Sequence, residues 1–338
     1  MEQKSEHIII IAEAGVNHNA SLQRARQMVI EARKAGADYV KFQTAVPELV
    51  ISSVAPKAEY QKETTGNSES QLDMCRAIHL PLSAYAELAR LCREVGIGFM
   101  STPFDLVSID TLAEIGQDYW KIPSGEITNL PYLRKIASKG GRVILSTGMS
   151  TLSEVADAVQ VLEKGGIPRR DITLLHCTTQ YPTPMTDVNL RAMNALRELG
   201  CGAVGYSDHT LGIEIPVAAA AMGARVIEKH FTLDRNLPGP DHRASLTPDE
   251  LAEMVRSVRN VETALGNGQK TVAEAERANI EVARKSIVAA RDIKAGELLT
   301  EENITVKRPG NGISPMEWDN VLGTRAIKDF AYDSLIEI

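Results

Sequence analysis

The chain has 338 residues, with 37 Lys and Arg against 44 Asp and Glu and a formal net charge of −7. That length can hold one full core and a small second domain. The acidic balance argues against nucleic-acid and membrane partners while leaving room for a local cationic pocket, and no run nears the roughly 18 apolar residues of a membrane span. The four cysteines (Cys75, Cys92, Cys177, Cys201) lack CxxC spacing and read as reduced thiols. The apolar run in MEQKSEHIIII is too short for a signal peptide, so a cytoplasmic protein is expected.

Ile8 to Ala12 reads as strand one, and Ser21 caps a helix with Leu22, Ala25, Met28, Val29 and Ala32 on one face and Gly36 as its stop. ADYVKFQT is strand two. The polar stretch KAEYQKETTGNSESQLDM follows as a loop long enough to suggest function. Helix LSAYAELARLCREVG precedes strand GIGFMST, and the unit then repeats. The next strands are DYWKIPSG, RVILSTG, DITLLHCT, AVGYSD and RVIEKHF, each preceded by a helical segment, and a last helix begins near Thr247-Pro248-Asp249. Strands alternating with helices, with no hairpin signals, predict an α/β fold, a closed parallel (β/α)8 TIM barrel over 1–265; a doubly wound sheet is the alternative. Residues 266–285 read as a polar linker, and 286–338 as a small domain of short strands and turns.

In such a barrel chemistry sits at the carboxyl ends of the strands. The polar residues collected there are Glu13, Lys41, Gln43, Ser101, Thr102, Lys121, Ser124, Glu126, Ser146, Thr147, Thr178, Ser207, Asp208, His209, Glu228 and His230. Alternation along a strand puts Lys41 with Gln43 and Glu228 with His230, and turns Lys229 to the opposite face. His209 and His230, at the ends of neighbouring strands, form a candidate divalent-metal pair. A single strand histidine more often packs than ligates, and His176 reads in that way; His18, in GVNHNA, reads as loop. Lys41 and Lys121, with hydroxyls and Gly-exposed N–H groups beside them, suit an anion such as phosphate.

The motifs EAGVNHN, KFQT, STPFD, KIPSGE, ILSTGMS, LLHCTTQYPTP, GYSDHT, EKHFTLDRN, PGPDH and VKRPGNG together resemble the bacterial N-acetylneuraminate (sialic acid) synthase family over essentially the whole chain. The resemblance implies a TIM barrel followed by a small C-terminal antifreeze-like (SAF) β-clip domain. It implies condensation of phosphoenolpyruvate with an N-acylated hexosamine, N-acetylmannosamine first, giving N-acetylneuraminate and phosphate by C–O cleavage. A domain-swapped homodimer follows from it, and so does a divalent cation on His209 and His230, typically manganese, with magnesium or cobalt as alternatives. Lys41, Thr102, Lys121, Ser124, Ser146 and Ser207 match phosphoenolpyruvate-binding positions. Glu13, Gln43, Asn67, Tyr181 and Asp241 match sugar-contacting ones, and Arg308 matches an arginine that a second chain's SAF domain extends to the N-acyl group. Glu13 and Glu126 become candidates to steer water or move protons. Thr179 departs from the pattern, since some members carry Asn after HCT.

Two rivals of other kinds carry less of the sequence. A Schiff-base aldolase using Lys121 or Lys229 needs no metal, and a sugar- or ice-binding protein leaves the strand-end lysines and histidines unexplained. KAEYQKETTGNSESQLDM and PGPDHRASL also look like legionaminic acid synthases, which take a 2,4-diacetamido-2,4,6-trideoxy-mannose instead.

Overall fold

The computed structural model describes residues 7–57, 62 and 70–338, and it divides into two compact units, Met1–Asn267 and Gly268–Ile338. In the first unit, eight parallel strands are ordered β3-β2-β1-β8-β7-β6-β5-β4 among the described residues. They are β1 Ile9–Gly15, β2 Tyr39–Thr44, β3 Gly98–Pro103, β4 Tyr119–Ile122, β5 Arg142–Ser146, β6 Ile172–His176, β7 Ala203–Asp208 and β8 Val226–His230. β3 and β4, at the two ends of this order, lie side by side and close the sheet into a barrel.

Helices follow the strands for the reasons the sequence gives. Ser21 Oγ accepts from the Arg24 N–H at the start of helix Leu22–Ala35, and Gly36, at φ +86°, ends it in the left-handed conformation. The face expected to be buried is Ala25, Met28, Val29 and Ala32, and it packs in the layer between strands and helices with Val40, Leu88 and Val255. Most of the loop expected over 57–74 lies outside the described residues, and its end, 71–74, is helical. Pro47–Val50 and Gln71–Ile78 are helical, the second capped by Ser70 Oγ, which accepts from the Asp73 N–H. Eight residues bearing only Leu72, Met74, Cys75 and Ile78 as apolar anchors give too short a periodic signal to stand out beside the polar run before them.

In the second unit β9 (Ser286–Ala289) pairs antiparallel with β10 (Ile304–Lys307) over a core of Ile287, Ala289, Ile293, Leu299, Ile304, Val321 and Phe330. Within 266–285, helix Arg277–Ala283 buries none of its residues.

Candidate active site

The barrel interior is layered by strand parity. Ile11, Met100, Tyr119, Ile144, Leu175 and Val226, with Tyr39 beside them, form an apolar plug inside the sheet. Two residues farther along the same strands, side chains return to the same face. There the sequence turns polar: Ile11 is followed by Glu13, Tyr39 by Lys41, Met100 by Thr102, Tyr119 by Lys121, Ile144 by Ser146 and Val226 by Glu228. All six are buried, as is Ser207. The plug gives this second layer an apolar floor.

Charge is balanced inside that layer. Lys41 Nζ lies 3.0 Å from Glu13 and 3.6 Å from Glu228, and Lys121 Nζ lies 3.7 Å from Glu228. Lys41 donates to Thr102 Oγ1 at 3.0 Å, Lys121 to Ser146 Oγ at 2.7 Å, and Ser207 to Glu228 at 2.9 Å. Burial opposes every one of these charges, and the neighbours decide the outcome. Glu228, between two ammonium groups, is held below the usual carboxylate range despite its burial. Glu13 has one lysine and a 3.2 Å hydrogen bond from Gln43, so burial prevails and pushes it up to about 7. Lys41 is lowered by burial but raised further by its two carboxylates, whereas burial prevails at Lys121 and lowers it. Two lysines thus face the cleft with only one firmly ionised carboxylate between them, an arrangement with positive charge to offer an anion.

Above this layer stand the histidines. The His209 and His230 rings lie 5.4 Å apart, and Tyr181 covers them at 4.0 Å and 5.6 Å, edge-on to the latter. His209 Nδ1 donates to the Thr178 carbonyl at 2.6 Å, which leaves the Nε2 lone pair free of that proton. His230 Nδ1 is buried with no hydrogen-bond partner. Burial lowers both imidazoles, His209 to about 4, so both are neutral donors at pH 7. Two neutral imidazoles above a layer of polar side chains suit a divalent cation that keeps positions open for substrate. Among the described residues no group of three or more His, Cys, Asp and Glu is placed to hold a metal ion, so the protein donors on offer here are the two imidazoles. Gly15, at φ +52°, keeps the approach clear: a Cβ there would come within 3.2 Å of Glu13 and 3.5 Å of the His230 ring.

The cleft encloses about 460 Å³, within the size range of small-molecule sites. It gathers Glu13, Lys41, Gln43, Thr102, Lys121, Ser124, Ser146, Tyr181, Ser207, His209, His230 and Asp241. Glu126 is not among the lining residues; it sits in the turn after β4 and accepts from Asn129 at 2.6 Å. Arg308 belongs to the second unit, where its Nε donates to the Ala283 carbonyl, and Asn67 lies outside the described residues. His176 donates to the Val188 carbonyl, and His18 is buried 6.0 Å from the Phe42 ring, so both pack. Lys229, on the opposite strand face, pairs with buried Asp208 and lies outside the cleft.

Sequence reasoning missed part of the lining. Cys177 and Thr179 continue the parity of Leu175 past the end of β6, and that alternation was the available signal. Met74, Cys75, Ile78 and His79 also face the cleft, from the helix read as loop.

Asp241 carries a testable cost. Burial pushes its carboxyl from 3.8 to about 6. The unfolded chain therefore releases this proton first, and stability falls as pH rises from about 4 to about 6, then stays level. The loss amounts to about 3 kcal/mol at neutral pH. Asp241→Asn is expected to raise the melting temperature at pH 7.5 and leave it unchanged near pH 4; the same shift at both values would contradict this.

A parallel barrel with buried lysines in its upper layer and an imidazole pair above them has the form of an enzyme site suited to a small anion at the strand ends. The chain matches the NeuB family over residues 28–270 and a SAF domain over 284–337, and it belongs to the NeuB family. It is 52% identical to the N,N'-diacetyllegionaminic acid synthase of Campylobacter jejuni over 328 residues, 97% of this chain and 98% of that one. The synthase of the same name from Legionella pneumophila is 46% identical, with 94% and 89% covered. The crystal structure of the N-acetylneuraminic acid (sialic acid) synthetase of Leptospira borgpetersenii, in complex with citrate, aligns with a TM-score of 0.71 at 35% identity. It covers 82% of this chain and 91% of that one. The chain is a biosynthetic enzyme of the sialic-type acid synthases.

Proposed function

We propose that this enzyme condenses phosphoenolpyruvate with 2,4-diacetamido-2,4,6-trideoxy-mannose and water, giving N,N'-diacetyllegionaminic acid and phosphate. The choice of sugar is carried by the 52% identity, along nearly the full length of both chains, with a synthase named for that product. The motifs alone put N-acetylmannosamine first; whole-chain similarity reverses that order.

Lys41 and Lys121 hold the phosphate and carboxylate of phosphoenolpyruvate, assisted by Thr102, Ser124, Ser146 and Ser207. Gln43, Tyr181 and Asp241 hold the open-chain sugar so that its aldehyde lies over C3. The C2–C3 π electrons form the new C–C bond to the aldehyde carbon, whose oxygen becomes a hydroxyl on taking a proton. Water adds at C2 and loses one proton; the C2–O bond to phosphate then breaks as the added oxygen becomes the ketone carbonyl, and its second proton leaves with the phosphate. Glu13, near neutrality in its buried setting, moves one of these protons. A manganese, magnesium or cobalt ion held by His209 and His230 supplies Lewis-acid polarisation of the aldehyde when bound. Arg308 of a second copy, in a domain-swapped cytoplasmic homodimer, reaches the N-acyl group.

Phosphoenolpyruvate labelled with ¹⁸O at the bridging position tests the chemistry. Phosphate release is expected only with sugar present, and the label is expected in the phosphate. Label retained in the organic product, or loss of activity on borohydride treatment with pyruvate, would instead support another mechanism.

A further inference from the structure

The cleft has two chemically different sides. Strand ends supply lysines, hydroxyls and histidines. The connection between β2 and β3 supplies an apolar wall. Its helix Gln71–Ile78 turns Gln71, Met74, Cys75 and Ile78 to the cleft. These stand at i, i+3, i+4 and i+7, one face of the helix. Val50, at the end of helix Pro47–Val50, lines the same wall. Arg76, on the other face, joins the two helices through a 2.7 Å ion pair to Glu48 and is held by Asp73 at 3.0 Å. The wall is therefore a tied pair of helices. It lines the same cleft as Tyr181 and Asp241, the residues proposed above to hold the sugar.

We infer that Val50, Met74 and Ile78 form a specificity surface for a deoxygenated terminal carbon, the C6 methyl of a 6-deoxy-aminosugar. An open-chain hexose held by its aldehyde at the histidines places C6 at the far end of the chain. On an ordinary hexosamine that carbon bears a hydroxyl, which would lose water against the Val50, Met74 and Ile78 side chains, none of which offers it a strong hydrogen bond. A methyl group fills the same space with no polar atom to satisfy. An apolar pocket discriminates against an added hydroxyl by about 10²-fold at most, so the wall selects without excluding. The inference rests on the reading of the cleft as a sialic-type acid synthase site, and it concerns C6 independently of C4.

The experiment compares kcat/KM across two sugar pairs that differ only at C6. One pair is 2,4-diacetamido-2,4,6-trideoxy-mannose and its 6-hydroxy analogue; the other is 2-acetamido-2,6-dideoxy-mannose and N-acetylmannosamine. In the full-length enzyme the 6-deoxy member of each pair is expected to be favoured by about 10- to 100-fold. Val50→Thr, which keeps the shape, and Ile78→Thr, which also removes one carbon, both at incompletely buried positions, are expected to cut that ratio at least threefold through KM for the sugar. Met74→Gln should cut it further. Thermal stabilisation by phosphoenolpyruvate shows that each variant remains folded with an intact anion site. A C6 ratio near one in the wild type, or a ratio unchanged in the folded Thr variants, would overturn the inference. A preference for the monoacetamido sugars with the C6 ratio intact would overturn the proposed substrate while supporting the wall. Preference for the diacetamido sugars with no C6 ratio would do the reverse.

Discussion

Lys121→Met is expected to lower kcat/KM for phosphoenolpyruvate by about 10²- to 10³-fold. The methionine keeps most of the stem's volume but removes a buried ammonium from a place where both neighbours depend on it. Ser146 loses its 2.7 Å donor, and Glu228 loses the cation 3.7 Å away. Truncating one member of a buried, hydrogen-bonded charge pair costs roughly 2–5 kcal/mol, much of it the penalty on the charge left behind. Here the charge left behind is a carboxylate facing an incoming anion, so the loss falls on substrate binding. With only Lys41 beside it, Glu228 is also expected to ionise less readily. Steady-state phosphate release against phosphoenolpyruvate concentration measures the effect, with a far-UV circular dichroism spectrum to establish folding. A folded variant with less than a tenfold loss would contradict the role given to Lys121.

Chelation is expected to have an effect as large. Dialysis against EDTA should reduce phosphate release to background, with manganese restoring it. His209→Ala and His230→Ala are each expected to weaken manganese binding by more than about 100-fold, since loss of even an outer partner of a ligand costs 10- to 100-fold. Isothermal titration of the apo-protein with manganese reads this directly, without reference to turnover. The two rings are neutral because burial lowers them, and His209 is oriented by the Thr178 carbonyl. Equal affinity in the wild type and both variants would remove the histidines from metal binding.

The legible part of this site was its position along the strands. Lys41 with Gln43 and Glu228 with His230 could be paired from the alternation of strand side chains, and Lys229 could be set aside because it falls on the other face. The structure adds what alternation cannot give, which is neighbourhood across strands. Glu228 serves both Lys41 and Lys121 only because closure brings β2, β4 and β8 around one interior. Glu13 departs from its ordinary pKa because burial is complete and a single lysine does not offset it. Neither fact is local in sequence.

The helix Gln71–Ile78 was illegible for a different reason. It follows a polar run, it spans 8 residues, and the face bearing Gln71, Met74, Cys75 and Ile78 lines a cleft rather than a core. Periodicity over two turns is a weak signal, and a cleft-facing helix shows less apolar contrast than a packed one. Glu126 shows how a turn can redirect a strand-end residue. Its place after strand four suggested a strand-end acid, but β4 ends at Ile122, and the turn that follows carries Glu126 toward Asn129. Tyr181 and Asp241 lie in loops whose direction follows from no residue pattern, and only the family resemblance pointed to them.

The most direct measurement of the central claim is a competition in one vessel. Equal concentrations of 2,4-diacetamido-2,4,6-trideoxy-mannose and N-acetylmannosamine are supplied with limiting phosphoenolpyruvate and manganese, and the acids formed are resolved by mass. The diacetamido acid is expected to dominate, with phosphate released in equal amount to total product. Predominance of N-acetylneuraminate would contradict the proposed substrate.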